Sequence, residues 1–184
     1  YITSEHAASM GGSQIWLEPG ESMAVSELVK AVAIESANDA AVALAEHVAG
    51  SEPAFVALMN EKAQALGCKN THFINATGLP GKSPSEDCVS SARDVAIMSR
   101  ELLKHPRIHE WLTIWIGYVR DGQNMLTNTN RLIRFYPGAD GVKTGYTERS
   151  RYCLSATAVR NNVRVIGVVL GVPTSAVRFS EAST

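Results

Sequence analysis

Apolar residues recur at helical spacing over the first two thirds of the chain, and they predict four helices. The first begins near Ser26, a candidate N-cap, and its apolar face comprises Leu28, Val29, Val32 and Ala33. The second is predicted from Asp39 to Val48, closed by Gly50. Between them the pattern pauses at Ser36-Ala37-Asn38. Because Ser and Asn favour helix caps, this tripeptide is predicted to join the two helices, with Ser36 and Asn38 facing a cleft.

Two further helix starts follow. Ser51-Glu52-Pro53 begins the third helix, because proline fits a first turn. Its apolar stripe is predicted to be core and comprises Phe55, Leu58, Met59 and Ala63. Ser91 and Asp94 begin the fourth helix as a cap pair. Its predicted buried face comprises Val95, Met98, Leu102 and Leu103. Between these helices the segment from Asn75 to Asp87 has the composition of a loop and is a candidate cleft edge.

After Trp115 the pattern changes to alternation and to residues that favour strands. The predicted strands begin at Val142-Lys143-Thr144 and continue over Tyr152–Val159 and Val163–Val172. Asn161 and Asn162 can adopt the positive φ angles of a tight hairpin turn between the last two. Helices first and antiparallel strands last predict an α/β or α+β layered fold. We expect a single domain over 1–184, mainly helical over 21–118 and mainly strand over 119–184.

Composition narrows the function. The chain has 184 residues, 45% of them apolar, with 17 basic and 18 acidic residues. This balance gives no sign of nucleic-acid binding. The apolar runs fall short of the ~20 residues that span a bilayer, and the first residues lack a signal-peptide pattern. None of the five histidines pairs with a carboxylate at ligand spacing in a recognisable motif, so neither a metal site nor a catalytic triad is predicted. No cofactor is predicted.

Cys68, Cys88 and Cys153 are too few and too widely spaced for a zinc site or a complete disulfide framework. We interpret them as structural, although one pair could oxidise outside the cytoplasm. Trp111 and Trp115 lie one helical turn apart if the helix continues, and core packing is favoured for them over a sugar-stacking platform.

Lys143-Thr144-Gly145 follows the predicted Asp140-Gly141 turn and begins a strand. The lysine can stabilise an anion, the threonine hydroxyl can bind a carboxylate, and the glycine lets another backbone approach closely. Ser36 offers a hydroxyl for proton relay, and Asn38 offers an amide for a peptide carbonyl. Each motif alone is weak, because serine and asparagine are ordinary helix caps.

The flanking residues strengthen the signal. Four segments occur in one order: Ser36 to Glu46, Asn70-Thr71-His72-Phe73 with Gly78-Leu79, Ser91-Ala92-Arg93-Asp94, and Asp140 to Thr147. With these segments the chain resembles the D-alanyl-D-alanine carboxypeptidases, low-molecular-mass penicillin-binding proteins of the S11 serine peptidase type, over nearly its whole length. Ser-x-Asn and Lys-Thr-Gly are two of the three motifs of penicillin-recognising enzymes. The resemblance implies the β-lactamase or penicillin-binding transpeptidase-like fold.

The resemblance implies catalytic roles for three residues. Ser36 would take part in proton transfer, and Asn38 would hold the substrate amide. Lys143 would lie beside Ser36 at the centre of the site.

The resemblance also implies four binding residues. Thr144 and Gly145 would dock the terminal D-alanine, and the backbone N–H of Tyr146 would form one arm of an oxyanion hole. Arg178 would help to neutralise the substrate carboxylate; the alternative is an ordinary surface arginine.

The third motif, Ser-x-x-Lys, carries the nucleophile of the family and is absent from this sequence. The resemblance therefore predicts a fragment, incomplete at both ends and inactive alone. The complete enzyme would remove the terminal D-alanine from peptidoglycan stem peptides outside the cytoplasmic membrane, would be inhibited by β-lactams, and could carry a membrane anchor beyond these residues. The alternative is a non-catalytic domain that binds peptidoglycan peptides, and a β-lactamase is less favoured.

Overall fold

The computed structural model describes residues 1–184. The helices are α1 (Glu5–Ala8), α2 (Val25–Glu35), α3 (Asn38–Ala49), α4 (Glu52–Ala65), α5 (Ala92–Leu102), α6 (Ile108–Leu112), α7 (Leu132–Phe135) and α8 (Ser175–Ala182), with a 3₁₀ turn at Pro84–Glu86. The strands are β1 (Ile116–Val119), β2 (Asn124–Thr127), β3 (Ala139–Thr147), β4 (Arg151–Arg160) and β5 (Val163–Val172). All helices except α8 precede the three-stranded antiparallel sheet, so the predicted layered α+β fold is confirmed. No helix has both the length and the apolar character needed to cross a membrane.

The main sheet has the order β3-β4-β5, and both pairings are antiparallel. Asn161 and Asn162 join β4 to β5 with φ angles of 51° and 62°, which confirms the predicted hairpin. The strand β3 lies at one edge of the sheet. A second, two-stranded sheet of β1 and β2 was not predicted, because strands of four residues give little periodic signal.

The main hydrophobic core lies on the helical side. Leu28 and Ile34 of α2 and Val42 of α3 are fully buried there. The small sheet covers this core from outside through Val119 of β1 and Leu126 of β2. The core therefore fixes α2 and α3 relative to each other, and it fixes the junction between them.

That junction has the predicted form. Helix α2 ends at Glu35, and Ser36 takes a left-handed conformation with φ 63° and ψ 34°. Helix α3 begins two residues later at Asn38, and Gly50 caps its end. The predicted N-cap of α2 is wrong: the chain enters the helix at Ala24, so Ser26 already lies within the first turn.

The predicted core stripe of α4 is also largely wrong. Ser51 caps this helix as predicted, but of the stripe only Ala63 is buried, and Leu58 is 46% exposed. Helix α4 packs against α3, so only the narrow strip that contains Val56 and Ala63 is covered.

Helix α5 begins at the predicted cap, where the Ser91 hydroxyl accepts from the backbone N–H of Asp94. Its predicted apolar face is only partly covered, because Val95, Met98 and Leu102 border an open groove of about 460 Å³ between α5 and the main sheet.

The two tryptophans are not on one helix as predicted. Helix α6 ends at Leu112, so Trp115 lies beyond it and packs edge to face on Phe135 with 6.0 Å between ring centroids. Both tryptophans are half-buried.

Candidate active site

A cleft of about 680 Å³ lies between the α2–α3 junction, the edge strand β3 and the loop after Asn75. All seven site residues predicted from the sequence line it, and they come from both halves of the chain. These residues are Ser36, Asn38, Lys143, Thr144, Gly145, Tyr146 and Arg178.

Ser36 and Lys143 meet at the centre of the cleft. The Lys143 ammonium donates to the Ser36 hydroxyl at 2.6 Å and to the backbone carbonyl of Thr144 at 2.8 Å. The left-handed backbone at Ser36 places its hydroxyl between two helices, where the lysine can reach it. Lys143 lies in the middle of β3 and not at its start, because Asp140-Gly141 belongs to the strand and carries a register shift. The predicted turn at Asp140-Gly141 is therefore wrong.

The electrostatics of the cleft shift Lys143 towards the neutral amine. Burial of the ammonium group, and secondly the positive charge of Arg178, lower the pKa of Lys143 to about 8. No carboxylate forms an ion pair with this lysine. Near neutral pH Lys143 can therefore both donate and accept a proton at the Ser36 hydroxyl.

Asn38 is held by the segment that precedes the first long helix. Its side-chain amide donates to the carbonyl of Gly11, and its backbone N–H donates to the carbonyl of Ser13, both at 2.8 Å. Gly12 has φ +70°, and a Cβ there would lie 2.7 Å from the Asn38 amide nitrogen. A glycine at position 12 is thus required for this close approach.

Asp39 was missed as a supporting residue. Its fully buried carboxylate accepts from the backbone N–H groups of Ile15 and Leu17, at 3.2 and 2.9 Å. It ties the Gly11–Leu17 segment to the start of α3. An aspartate next to Asn38 is the only sequence signal, and it resembles an ordinary helix-start residue.

The edge strand provides the opposite wall of the cleft. The Thr144 hydroxyl is buried and shares a 2.6 Å hydrogen bond with the hydroxyl of Thr129, another residue that was missed. A Cβ on Gly145 would meet only Cys153, at 3.8 Å, so the space on the cleft side of the strand is open. Tyr146 is 58% exposed and stacks on Tyr152 with 4.5 Å between ring centroids.

Arg178 is 7% exposed, so the alternative of a surface arginine is wrong. Helix α8 positions it behind β3, where its guanidinium lies over the rings of Tyr152 and Phe179. It donates to the carbonyls of Gly145 and Cys153, at 3.2 and 3.3 Å, while its Nε has no partner. Burial lowers the pKa of Arg178 below its ordinary value, but a guanidinium remains charged. Its guanidinium also donates to the Ser175 hydroxyl at 3.1 Å, and Arg178 lines the cleft as a charged group that can pair with an anion.

The loop predicted as a cleft edge does line the cleft, through Ala76–Leu79. The Asn75 side chain shapes this wall: its carbonyl accepts from the backbone N–H of Gly78 at 2.7 Å, and its amide donates to the carbonyl of Leu79.

Cys88 and Cys153 also line the cleft, whereas Cys68 is buried elsewhere, and all three thiols are free.

The family model for D-alanyl-D-alanine carboxypeptidase, peptidase S11, matches residues 1–174. The D-alanyl-D-alanine carboxypeptidase DacF of Bacillus subtilis is 53% identical over 184 residues, which cover 98% of this chain and 46% of DacF. The chain therefore spans about half the length of this relative.

Solved structures of D-alanyl-D-alanine carboxypeptidases and penicillin-binding proteins also match this chain. The crystal structure of the D-alanyl-D-alanine carboxypeptidase DacD from Francisella tularensis matches with a TM-score of 0.90 and 32% identity, over 99% of this chain and 55% of that one. Penicillin-binding protein D2 from Listeria monocytogenes, in its ampicillin-bound form, matches with a TM-score of 0.83 and 31% identity, over 94% of this chain and 70% of that one.

Proposed function

The chain belongs to the D-alanyl-D-alanine carboxypeptidase family, peptidase S11, and has its penicillin-binding transpeptidase-like fold. On that premise we propose that residues 1–184 form one domain of a serine-type D-Ala-D-Ala carboxypeptidase and supply its substrate cleft and proton-transfer groups. The observation that carries the proposal is the 2.6 Å contact between Lys143 and Ser36, inside a cleft that also holds Arg178.

The substrate is a peptidoglycan stem peptide that ends in D-Ala-D-Ala. Its terminal carboxylate binds Thr144 and Arg178, the hydroxyl and the guanidinium that lie together in the cleft. The scissile carbonyl lies at the backbone N–H of Tyr146, which stabilises the developing oxyanion. Asn38 holds the preceding amide. The open edge of β3, with Gly145 in it, lets the peptide backbone lie alongside the strand.

The reaction needs a nucleophile that this sequence does not contain. A serine hydroxyl attacks the scissile carbonyl, and Lys143, in its neutral form, accepts the serine proton. The proton passes through the Ser36 hydroxyl to the nitrogen of the departing D-alanine as the peptide bond breaks. Water then attacks the ester carbonyl, the same groups accept a proton from the water and donate one to the serine oxygen as the ester bond breaks, and the shortened peptide leaves as a carboxylate.

The groove beside α5 is the place where a segment that carries this serine would lie. It shares Lys143, Thr144 and Gly145 with the cleft, so a residue at their common border lies next to the lysine. Its walls are mainly apolar and include Val95, Met98 and Leu170. An apolar helix or strand that fills it would bury this surface.

β-Lactams are the expected inhibitors, since they present the same carboxylate and a reactive amide, and ampicillin is bound in the Listeria structure. The substrate places the site of action in the bacterial cell envelope, outside the cytoplasmic membrane.

Intact-mass spectrometry of the native protein from its source, before and after penicillin treatment, tests the proposal, with the chain 1–184 alongside. We expect a native protein longer than this chain that gains one penicillin, and a 1–184 chain that gains none. Labelling of the 1–184 chain would contradict the assigned chemistry. An unlabelled native protein that binds a D-Ala-D-Ala peptide saturably would instead indicate a non-catalytic binding domain.

A further inference from the structure

An arginine–aspartate pair lies beside the cleft, next in sequence to the lining residues Cys88 and Ser150. Arg149 lies in the turn between β3 and β4, and its guanidinium binds both oxygens of the Asp87 carboxylate at 2.6 Å. The same guanidinium donates to the carbonyl of Gly81 at 2.6 Å, and the Gly81 N–H donates to Asp87 at 2.8 Å. The three residues form a closed ring of hydrogen bonds, two of them in the strong bidentate geometry.

This ring fixes the cleft wall Ala76–Leu79 at one end. The backbone N–H of Ala76 donates to the Glu52 carboxylate at 3.0 Å, which fixes the other end. Position 81 has no room for a side chain, because a Cβ there would lie 2.3 Å from the Cβ of Glu86. The wall is therefore held between α4 on one side and the β3–β4 turn on the other.

The proposed binding mode gives the wall a position along the substrate. The terminal carboxylate lies at Thr144 and the scissile carbonyl at Tyr146, so the residues that precede D-Ala-D-Ala extend towards Thr147 and Ser150. Thr147 and Ser150 line the cleft opposite the wall, and Arg149 lies between them in the sequence. The ion pair thus ties the loop that carries the wall to the β3–β4 turn, beside the place where the upstream part of the peptide would pass.

We propose that Asp87 and Arg149 are positioning residues that set the width of the cleft for the residue preceding D-Ala-D-Ala, and thereby its selectivity for that residue. This inference rests on the proposed function. In this proposal the centre of the cleft recognises the D-Ala-D-Ala end of the peptide. The ion pair affects only the binding of the residue that precedes this end. Arg149 lowers the pKa of Asp87 below its ordinary value, so the pair persists into mildly acidic conditions.

The test compares two ligands on the chain 1–184 by isothermal titration. N-acetyl-D-Ala-D-Ala reaches only the centre of the cleft, whereas diacetyl-L-Lys-D-Ala-D-Ala also occupies the upstream part. In Arg149→Gln and Asp87→Asn we expect the Kd of the tripeptide to rise about tenfold, while the Kd of the dipeptide changes less than about twofold. The charge-exchanged double variant Asp87→Arg with Arg149→Asp should recover part of the tripeptide affinity.

Arg164→Gln is the matched control, because Arg164 makes an equivalent bidentate pair with Asp140, at 2.8 and 2.9 Å, away from the cleft. It should leave both affinities unchanged. Equal losses for both ligands in Arg149→Gln, or no loss for either, would overturn the inference. If the unaltered chain binds the dipeptide but shows no preference for the tripeptide, the inference fails while the proposed function stands. If it binds neither ligand, both fail.

Discussion

Lys143 and Ser36 are 107 residues apart in the sequence and 2.6 Å apart in the cleft. One lies at a helix junction and the other on a sheet edge, so the contact exists only when both halves of the domain are folded. Any property measured at this pair, whether proton affinity or ligand binding, therefore also reports on the packing between the halves.

The first prediction concerns stability against pH. The pKa of Lys143 falls from 10.5 to about 8 on folding. Below pH 8 Lys143 is protonated in both the folded and the unfolded state, so the free energy of unfolding is lowered by the full penalty for burying the charged ammonium. As the pH rises from about 8 to 10.5 the folded state releases the proton first, so the free energy of unfolding increases. The gain is about 3 kcal/mol at most.

Lys143→Met has no proton to lose and should lack this gain. Urea unfolding of both proteins at about pH 7 and about pH 10 measures it, and other titrating groups cancel in the comparison. Identical pH slopes for the two proteins would show that the pKa of Lys143 is not lowered.

The second prediction concerns carboxylate recognition. Arg178→Gln should weaken binding of a peptide that ends in D-Ala-D-Ala by about tenfold to a hundredfold, because a charge-assisted hydrogen bond is lost. The same peptide with an amidated C-terminus should bind both proteins with equal, lower affinity. Titration of each peptide into each protein gives four affinities, and together they isolate the contribution of the contact between Arg178 and the carboxylate. Equal losses for both peptides would mean that Arg178 supports the fold and does not bind the carboxylate.

The third prediction concerns the buried carboxylate beside Asn38. Asp39→Ala leaves the N–H groups of Ile15, Leu17 and Ala40 without their acceptor. We expect a loss of about 3 kcal/mol in the free energy of unfolding. Asp39→Asn keeps one acceptor oxygen and should lose less. Chemical denaturation measures both, with Glu61→Ala on the exposed face of α4 as control. A loss below that of the control would show that the carboxylate does not hold the segment.

The fourth prediction uses the cysteines as reporters. Cys88 and Cys153 line the cleft, whereas Cys68 is buried, and burial raises the pKa of its thiol. A maleimide should therefore modify two thiols quickly and Cys68 only on unfolding. A saturating D-Ala-D-Ala peptide should slow modification of the two cleft thiols. Intact mass against time follows both effects, and unchanged rates with ligand would argue that the peptide binds elsewhere.

Local chemistry made part of this structure predictable. The helix junction at Ser36-Ala37-Asn38 and the Asn161-Asn162 turn follow from the backbone preferences of serine and asparagine, which act within a few residues. The predicted cap at Ser26 is wrong because the N-cap lies two residues earlier, at Ala24, and such boundaries depend on packing. The prediction that the apolar stripe of α4 is core is largely wrong, because burial depends on which elements cover a helix, and periodicity alone does not show that.

The residues of the site also fall into two groups, those that could be predicted from the sequence and those that could not. The motif residues could be named from the sequence because each belongs to a short recognisable pattern, and the structure brings all seven to one cleft. Thr129, Asp39 and Arg149 could not be named. They act through partners that folding brings close, such as Asp87, which is 62 residues from Arg149.

Position 36 shows how stability and chemistry can demand different amino acids. A left-handed backbone costs a serine on the order of 1 kcal/mol that a glycine does not bear. Ser36→Gly would thus relieve strain, yet it would remove the hydroxyl that Lys143 contacts. A library of variants selected only for heat resistance should drift towards glycine here, whereas selection for turnover in the complete enzyme should retain serine.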